Sequence, residues 1–258
     1  MSLSFEERKP VIVKFLDREG KVHVSSLAEK LEVSGETIRR DLERLEKEGV
    51  LKKVYGGAVK TKFNSRELPF DQKASLNEKE KRAICKAAAA LVEDGESIMV
   101  GHGTTPLEIA RFLKGKNNIT LITHSAPVFL MAKEVFDGRI IFIGGEYERS
   151  QKLTSGPLTE RTLEQLKANK AFIAAGGLST IDGITDYDLH GASISRKMIE
   201  RADEAIILAD HTKFGKTTFA HVCSLTEASM IITDKNCPTE WRNILAEREV
   251  ELFIADDV

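Results

Sequence analysis

The spacing of apolar residues divides the chain into a helical head and a longer body in which strands and helices alternate. In the head, apolar residues recur every three or four positions between Phe5 and Glu19, which predicts a helix, and Gly20 ends it. A second helix of about two turns is expected to begin at a capping box formed by Ser26 and Glu29. The head therefore starts with two helices in succession.

A third helix is predicted directly after the second. Ser34 is placed to cap it and Gly49 to end it. Ile38, Leu42 and Leu45 share one face, which we expect to be buried. The opposite side carries hydroxyl and cationic side chains, namely Thr37, Arg39, Arg40, Arg44 and Lys47. A capped helix with cationic donors along one side is what a helix-turn-helix places in the major groove of DNA.

A hairpin is predicted after the third helix, because two short β-prone runs surround Gly56 and Gly57. Its exposed side chains suit contacts to phosphate groups, and they are Lys52, Lys53 and Tyr55. Basic helix faces are also commonly just solvated, and small three-helix units serve as protein-interaction modules. The pattern alone leaves that alternative open.

The body contains seven short runs rich in Ile and Val, separated by helical patterns. They are Ser97–Val100, Ile119–Thr123, Arg139–Ile143, Lys170–Ala175, Glu204–Ala209, Ser229–Thr233 and Val250–Ile254. Apolar strands that alternate with helices are typical of a buried, mainly parallel sheet. The predicted fold class is therefore α/β, with a small N-terminal winged helix-turn-helix and a larger α/β domain with a mainly parallel sheet.

A polar segment, residues 61–81, separates the head from the body. It contains Pro69 and shows no apolar period until a helical pattern at Ile84–Val92. The expected division of the chain is 1–60 for the head, 61–75 for a linker and 76–258 for the body.

Composition narrows the class of protein. The 258 residues include 38 Lys and Arg against 40 Asp and Glu, and 41% are hydrophobic, as in ordinary globular proteins. No run approaches the roughly 18 apolar residues of a membrane helix, and the first residues lack the core of a signal peptide. The expectation is a cytoplasmic protein. Cys85, Cys223 and Cys237 are far apart and odd in number, which predicts plain thiols.

The small net charge hides an asymmetry between the two parts. Residues 1–62 carry 14 Lys and Arg against 11 Asp and Glu, a net charge of +3, whereas the remaining residues carry −5. A basic head on an acidic body is consistent with a nucleic-acid partner for the head.

The sequence motifs of the head indicate a protein family more specifically than its charge does. Residues 22–57 contain TIRRDL, then L-x-x-x-G, then the glycine pair of a GGA wing, and they resemble the winged helix-turn-helix of the DeoR family of bacterial transcriptional regulators. The resemblance implies that Ser34, Thr37, Arg39 and Arg40 meet DNA, with arginine as the donor to guanine edges. It also implies that Lys52, Lys53 and Tyr55 hold phosphates.

The residues just after the predicted strands are polar and rich in glycine. After the first run come Gly103, Thr104 and Thr105, where Thr105 is expected to cap a helix with Pro106 at its first position and Glu108 completing a capping box. Such a helix start offers amides and hydroxyls to a phosphate or another anion. Later strand ends add further candidates, namely Thr123, His124 and Ser125, then Gly144, Gly145 and Glu146, then Gly176 and Gly177, and finally Asp210, His211, Thr212 and Lys213.

These positions also match the effector domain of DeoR regulators, which resembles sugar-phosphate isomerases such as ribose-5-phosphate isomerase in fold. The similarity runs from about Glu80 to Asp234 through GTT, T-x-S, IGGE, GIT, ADHTKFG and IITD. It implies a phosphorylated sugar as effector and a set of effector-binding residues: Gly103, Thr104, Thr105, Thr123, His124, Ser125, Gly144, Gly145, Asp210 and Lys213. The chain departs from the family pattern at Gly101, His124 and Gly191.

Two other interpretations of the body remain open from its residues. An isomerase would need a carboxylate base near the anion site, and Asp182, Asp186, Asp188 and Glu146 are placed for it. Acids in such loops are more often turn formers or caps. Four histidines near strand ends could in principle hold a metal, namely His102, His124, His190 and His211, but none has HxH or HxxxH spacing.

The sequence therefore predicts a regulator, not an enzyme, and most simply a repressor of a carbohydrate-metabolism operon. Its partners would be double-stranded operator DNA and a phosphorylated sugar, and no cofactor, metal or membrane is expected. Paired heads on paired half-sites require a homo-oligomer, a dimer or a tetramer. The alternative is a sugar-phosphate isomerase-like enzyme with an appended interaction module.

Overall fold

The computed structural model describes residues 4–47, 50–60 and 67–256. The chain divides into two compact units, residues 1–64 and residues 65–258. None of the described helices combines the length and the apolar character that a membrane span requires.

The N-terminal unit is a helical bundle with a small antiparallel sheet. In chain order its elements are α1 (Phe5–Glu19), β1 (Lys21–His23), α2 (Val24–Lys30), α3 (Gly35–Lys47), β2 (Leu51–Val54) and β3 (Gly57–Lys60). The strands pair in the order β1-β3-β2. The first helix and the hairpin around the glycine pair are thus confirmed, and Gly20 ends α1 with a φ of 69°.

The third helix buries the predicted face. Ile38, Leu42 and Leu45 lie in one apolar cluster with residues from α1, α2 and the sheet. Ser34 caps α3 as expected, since its Oγ accepts a hydrogen bond from the backbone N–H of Thr37 at 3.1 Å. The expected helix end at Gly49 lies outside the described residues.

The start of the second helix differs from the prediction. Helix α2 begins at Val24 after His23, so Ser26 lies inside it and forms no capping box with Glu29. The backbone N–H of Val24 donates to the carbonyl of Gly56 at 2.9 Å. This bond to the hairpin satisfies a helix-start N–H that a capping side chain would otherwise serve.

The C-terminal unit begins with two helices and continues with alternating elements. Its helices are α4 (Phe70–Ala74), α5 (Glu78–Ala90), α6 (Ala126–Val135), α7 (Pro157–Glu164), α8 (Leu189–Glu200) and α9 (Glu240–Ala246), with 3-10 helices at Pro106–Leu113, His211–Lys213 and Leu225–Glu227. Its strands are β4 (Ser97–Val100), β5 (Thr120–Thr123), β6 (Arg139–Phe142), β7 (Glu146–Glu148), β8 (Leu153–Ser155), β9 (Ala168–Ala174), β10 (Gly177–Ser179), β11 (Gly183–Asp186), β12 (Ala202–Leu208), β13 (Ala220–Cys223), β14 (Met230–Asp234) and β15 (Glu251–Ala255).

Seven of these strands form one sheet in the order β15-β14-β12-β9-β4-β5-β6, and every neighbouring pair is parallel. The seven predicted runs are these strands, so the α/β class is confirmed. The apolar side chains alternate between two clusters: Ile98 and Val100 pack on one side of the sheet, and Met99 packs on the other. Each face is therefore covered, which explains the continuous apolar runs.

The order of the sheet reverses next to its central strand. From β4 the chain proceeds through β5 and β6 to one edge, then returns to place β9 on the other side of β4. In open parallel sheets, ligands bind beyond the carboxyl ends of the strands at such a switch point. The loops after β4 and β9 are therefore the first place to look for a site.

Smaller sheets and the buried thiols complete the unit. Strands β10, β11 and β13 form an antiparallel sheet, and β7 pairs with β8. Cys85, Cys223 and Cys237 are free thiols, as the sequence predicted, and all three are buried.

Part of the segment predicted as a linker is packed on the second unit. Residues 61–66 lie outside the described part, but residues 67–75 contain α4 and belong to the C-terminal unit. Phe70 is buried, and its backbone N–H donates to the carbonyl of Ser150 at 3.2 Å. A single buried aromatic residue in a polar run gives no periodic signal, which is why the pattern did not reveal this anchor.

Candidate functional site

The exposed side of α3 presents arginines to solvent. The side chains of Arg40 and Arg39 are 76% and 61% exposed, and both lie within ion-pair distance of Glu36. Arg44 is exposed and lies over the ring of Phe5, with its guanidinium carbon 5.0 Å from the ring centroid. Ser34 and Thr37 share a hydrogen bond of 2.9 Å at the start of the helix. Guanidinium groups free to leave surface ion pairs are available to phosphates and bases.

The hairpin carries the other predicted contacts. Tyr55 at its turn is fully exposed, and Lys52 is exposed. Lys53 instead points back to α3, where its Nζ donates to Glu43 at 2.8 Å and its backbone N–H donates to Glu46 at 2.7 Å. Lys53 therefore holds the hairpin on α3.

The turn of the hairpin needs glycine for a spatial reason. A Cβ atom added to Gly57 would lie 2.0 Å from the carbonyl oxygen of Val22, so β3 could not approach β1 with any other residue there. The neighbouring Gly56 has a φ of 77°. The glycine pair that the sequence analysis used as a turn signal is thus required by strand pairing as well.

In the C-terminal unit a cavity opens at the switch point of the sheet. We call it the switch-point cavity, and its volume is about 80 Å³. It is lined by the loop after β4 with Gly103, Thr104 and Thr105, the loop after β9 with Gly176, and the loop after β12 with Asp210 and Lys213. Five of the ten predicted effector-binding residues meet there: Gly103, Thr104, Thr105, Asp210 and Lys213.

The other five predicted residues do not line the switch-point cavity. Thr123, His124 and Ser125 are fully buried, and the hydroxyl of Thr123 donates to the carbonyl of Val100 at 2.8 Å, which ties β5 to β4. Gly144 and Gly145 lie in an exposed loop. A Cβ at Gly145 would lie 2.0 Å from Oγ1 of Thr159, so this glycine lets the loop approach α7.

The helix start after β4 differs in detail from the prediction. Pro106 does occupy the first position, but the helix is a 3-10 helix, and Thr105 makes no side-chain cap. Thr105 already has a helical backbone, with φ −71° and ψ −47°, and its carbonyl accepts a hydrogen bond from the thiol of Cys85 at 2.7 Å. The capping box with Glu108 is therefore wrong, because its capping residue is part of the helical turn.

Three lysines line the switch-point cavity beside the carboxylates Glu67, Asp186 and Asp210. Lys73 from α4 and Lys81 from α5 line it together with Lys213. The Nζ of Lys81 donates to the carbonyl of Lys73 at 2.6 Å, and Lys73 forms an ion pair with Glu67. Burial lowers the pKa of Lys81 to about 8, although Asp210 opposes this lowering. The sequence analysis missed both helical lysines, because they lie in a charge-rich segment without a pattern.

The far wall of this cavity contains a buried imidazole and carboxylate. His102 Nε2 lies 3.1 Å from Asp186 Oδ2, and His102 Nδ1 lies 3.3 Å from His124 Nε2. Burial lowers the pKa of His102, but the charge of Asp186 and its hydrogen bond outweigh burial and raise the pKa above its usual value. Burial and the neighbouring His102 hold the pKa of His124 well below its usual value. Asp186 therefore favours the protonated form of His102, whereas burial favours the neutral form of His124.

Gly191 makes room for this pair. A Cβ at position 191 would lie 3.1 Å from His102 Nε2 and 3.4 Å from Asp186 Oδ2. Gly191 lies in the first turn of α8, and its backbone N–H donates to the side chain of Asp188 at 2.9 Å. Gly191, at which the chain departs from the family pattern, therefore lies directly against His102.

Of the remaining candidates, Asp182 and His211 pair with residues that do not line the switch-point cavity. Asp182 accepts hydrogen bonds from Thr217 and Ser179, and His211 pairs with Asp234 at 3.0 Å. His190 lies in α8. Within the described part of the chain, no group of three His, Cys, Asp or Glu side chains is placed to hold a metal ion.

A second cavity of about 270 Å³ adjoins the first, and we call it the side cavity. Both cavities are lined by Glu67, His102, Asp186 and Tyr187. The side cavity is completed by Pro69 before α4 and by residues from the β7–β8 ribbon and the start of α8, namely Glu148, Ser150, Gln151, Leu153, Ser155, Asp188, His190 and Gly191. The sequence analysis did not anticipate this cavity, because the ribbon lacks strong polar or apolar periodicity.

Comparisons with known proteins match both units. Residues 8–63 match the family model of the DeoR-like helix-turn-helix domain, and residues 76–235 match that of the DeoR C terminal sensor domain. The chain is 33% identical to the "Uncharacterized HTH-type transcriptional regulator YulB" of Bacillus subtilis, over 95% of each chain. It is also 33% identical to the "Lactose phosphotransferase system repressor" of Staphylococcus epidermidis, over 89% of this chain and 92% of the relative.

Two further comparisons extend this picture. The HTH-type transcriptional regulator GolR of Listeria innocua is 32% identical over 88% of this chain and 90% of its own. Among solved structures, ribose 5-phosphate isomerase A from Methanocaldococcus jannaschii matches with a TM-score of 0.39 and 19% identity, covering 54% of this chain and 55% of that one.

Proposed function

The chain belongs to the DeoR family of helix-turn-helix transcriptional regulators, and from this membership we propose that it represses a carbohydrate-metabolism operon until a phosphorylated sugar binds the switch-point cavity. The family makes the chain a regulator rather than an enzyme. Relatives named as repressors of sugar systems, such as the lactose phosphotransferase repressor, support the carbohydrate assignment.

The DNA contacts are assigned to α3 and the hairpin. Helix α3 follows a short helix and a turn, and it keeps its apolar face in the core while Arg39 and Arg40 stay exposed. This arrangement supports insertion of α3 into the major groove, with Arg40 and Arg39 donating to guanine edges and Ser34 and Thr37 at the helix start. Lys52 and Tyr55 support a phosphate-contacting role for the hairpin.

The observation that carries the effector assignment is the presence of three lysines in one cavity at the switch point. Lys73, Lys81 and Lys213 surround a loop, Gly103 to Thr105, that precedes a helical turn. Cationic side chains and backbone amides at a helix start together favour a phosphate group. Thr123, His124, Ser125, Gly144 and Gly145 would then shape this site from behind, since they stay buried or lie in the neighbouring loop.

Regulation would follow from a shift in population between two states of the regulator. An effector that binds the other state more tightly lowers the population of the DNA-binding state. The size of this shift is set by the difference between the effector's binding free energies for the two states. Operator recognition by paired heads calls for a homo-oligomer, a dimer or a tetramer. Such a regulator would act in the cytoplasm, where its operator lies.

The test is selection of genomic DNA fragments on the purified protein, followed by washing with separate phosphorylated sugars. Enrichment of one repeated site, and its release by one phosphorylated sugar but not by the unphosphorylated sugar, is expected. An Arg40→Ala protein serves as the control for DNA capture, and a Lys213→Ala protein as the control for release. Failure to enrich any site at low salt would contradict the repressor function.

A further inference from the structure

The charged side chains are distributed unequally between the two adjoining cavities. Of the two cavities, only the switch-point cavity is lined by lysines, which are Lys73, Lys81 and Lys213. It is also the only one of the two that Asp210 lines. The side cavity alone contains the carboxylates Glu148 and Asp188, and within residues 67–256 no lysine or arginine lines it. A ligand that spans both cavities therefore passes from an end that carries lysines to an end with carboxylates and no lysine.

The two carboxylates common to both cavities each lie beside a basic side chain. Asp186 Oδ2 lies 3.1 Å from Nε2 of His102. Glu67 is paired with Lys73, and burial raises the pKa of Glu67 despite this lysine. The charge that remains in the switch-point cavity comes from Lys81 and Lys213 against Asp210. Two lysines against one carboxylate favour a phosphate group at this end.

The carboxylates of the side cavity are held as hydrogen-bond acceptors. Glu148 accepts from the backbone N–H of Ser150 at 2.9 Å, and Asp188 accepts from the N–H of Gly191 at 2.9 Å. Each bond uses one oxygen, and an ionised carboxylate accepts several hydrogen bonds. Gln151, Ser150 and Ser155 line the same space. Hydroxyl groups, which can donate, fit this lining, whereas a second anion is repelled by it.

We infer that the effector is a monophosphate of a polyhydroxy compound, held with its phosphate in the switch-point cavity and its hydroxyl-bearing end in the side cavity, and that the side cavity excludes a second phosphate or a terminal carboxylate. This inference rests on the proposed function and deepens it, because it names the class of effector. The larger volume of the side cavity, 270 Å³ against 80 Å³, agrees with the sugar occupying that side.

Calorimetry on the full-length protein tests the inference with compounds that differ in one group. Inorganic phosphate probes the switch-point cavity alone. Glucose 6-phosphate and fructose 6-phosphate are compared with their 1,6-bisphosphates, and glucose 6-phosphate is also compared with 6-phosphogluconate. The best monophosphate is expected to bind at least about tenfold more tightly than its bisphosphate or carboxylate counterpart, because like charges repel in the side cavity.

Charge reversal in the side cavity gives a second readout. Glu148→Lys is expected to raise affinity for the bisphosphate about fivefold relative to the monophosphate, a modest factor because Glu148 is partly screened by solvent. Glu148→Gln should shift the ratio in the same direction by less. Glu146→Lys is the matched control, since Glu146 lies two residues away in β7 with the same charge and lines neither cavity.

The outcomes separate this inference from the proposed function. Equal affinity for mono- and bisphosphates, with no change in Glu148→Lys, would overturn the inference and leave the phosphate site standing. Tighter binding of a bisphosphate to the unaltered protein would overturn it as well. If neither inorganic phosphate nor any sugar phosphate binds, the effector function itself fails, and the inference fails with it.

Discussion

Arg8 in α1 donates two hydrogen bonds to the carboxylate of Asp41 in α3, from Nε at 2.6 Å and from an η nitrogen at 2.9 Å. Both side chains are less than a tenth exposed. Asp41 lies between Arg40 and Leu42, so one residue of the TIRRDL run faces the first helix while its neighbour faces solvent. The pair therefore fixes how α3 is held against α1.

Removal of one partner should destabilise the N-terminal unit. Asp41→Ala would leave the Arg8 guanidinium buried without its carboxylate, and we expect a loss of about 3–5 kcal/mol. Hydrogen exchange measured by mass spectrometry on peptides from α1 and α3 of the intact chain should show faster exchange, with peptides of the C-terminal unit unchanged. Glu36→Ala, which removes an exposed carboxylate from the same helix, should cost less than about 1 kcal/mol. Equal protection in both variants would show that the ion pair does not hold the helices.

Arg40 should contribute to DNA affinity without contributing to stability. Arg40→Ala is expected to weaken binding to the selected operator by about 1–3 kcal/mol if the side chain reads a base. Fluorescence anisotropy with labelled operator measures this loss. Lys14→Ala removes one exposed positive charge from α1 and is the control for a general charge effect. An Arg40→Ala protein with unchanged affinity would exclude Arg40 from the interface.

Lys213 should act on the effector response alone. Lys213→Ala removes a cation from the switch-point cavity, and a charge-assisted bond to phosphate is worth about 1.5–3 kcal/mol, so effector affinity should fall at least about tenfold. Affinity for operator in the absence of effector should stay the same. Lys86→Ala removes an exposed lysine from α5 and should change neither property. Full effector affinity in Lys213→Ala would place the phosphate elsewhere.

Effector binding should weaken above pH 8. Because burial lowers the pKa of Lys81 to about 8, this lysine is charged in the free protein below pH 8 and neutral above it. A bound phosphate favours the charged form and raises that pKa, so binding takes up a proton at higher pH. Affinity should therefore fall about tenfold between pH 7 and pH 9, as proton linkage for one group requires.

Calorimetry of the same effector across this pH range makes the measurement. Lys81→Arg keeps the positive charge at every pH used and should remove most of the dependence. A profile that is equally steep in Lys81→Arg would assign the proton to another group.

The sequence predicted the elements whose burial is regular. The runs around Met99 and Ile207 are apolar on both faces, because helices cover both sides of the sheet, and continuous apolar runs are easy to detect. The burial of Ile38, Leu42 and Leu45 follows in the same way from helical spacing. The predicted start of α2 at Ser26 was wrong. The helix begins at Val24, whose backbone N–H donates to the carbonyl of Gly56 in the hairpin, and a bond between such distant residues leaves no local signal in the sequence.

The site was predicted only where it follows strand ends. Gly103 to Thr105, Asp210 and Lys213 lie directly after β4 and β12, and parallel strands bring such loops together. Lys73 and Lys81 reach the same cavity from α4 and α5, which are far from those loops in sequence, so their placement depends on how the helices pack. Thr123 ends β5 and Ser125 comes two residues later, but both side chains are buried.

The close approach of Gly191 to His102 limits how the two positions can change. Any side chain at 191 brings a Cβ atom to 3.1 Å from the ring nitrogen that bonds Asp186. A larger residue at 191 is compatible with a smaller residue at 102, but not with the histidine in its present position. The effect of a substitution at either position thus depends on the residue at the other. The two positions form an epistatic pair, because a side chain at 191 requires the ring of His102 to shift by a few tenths of an ångström.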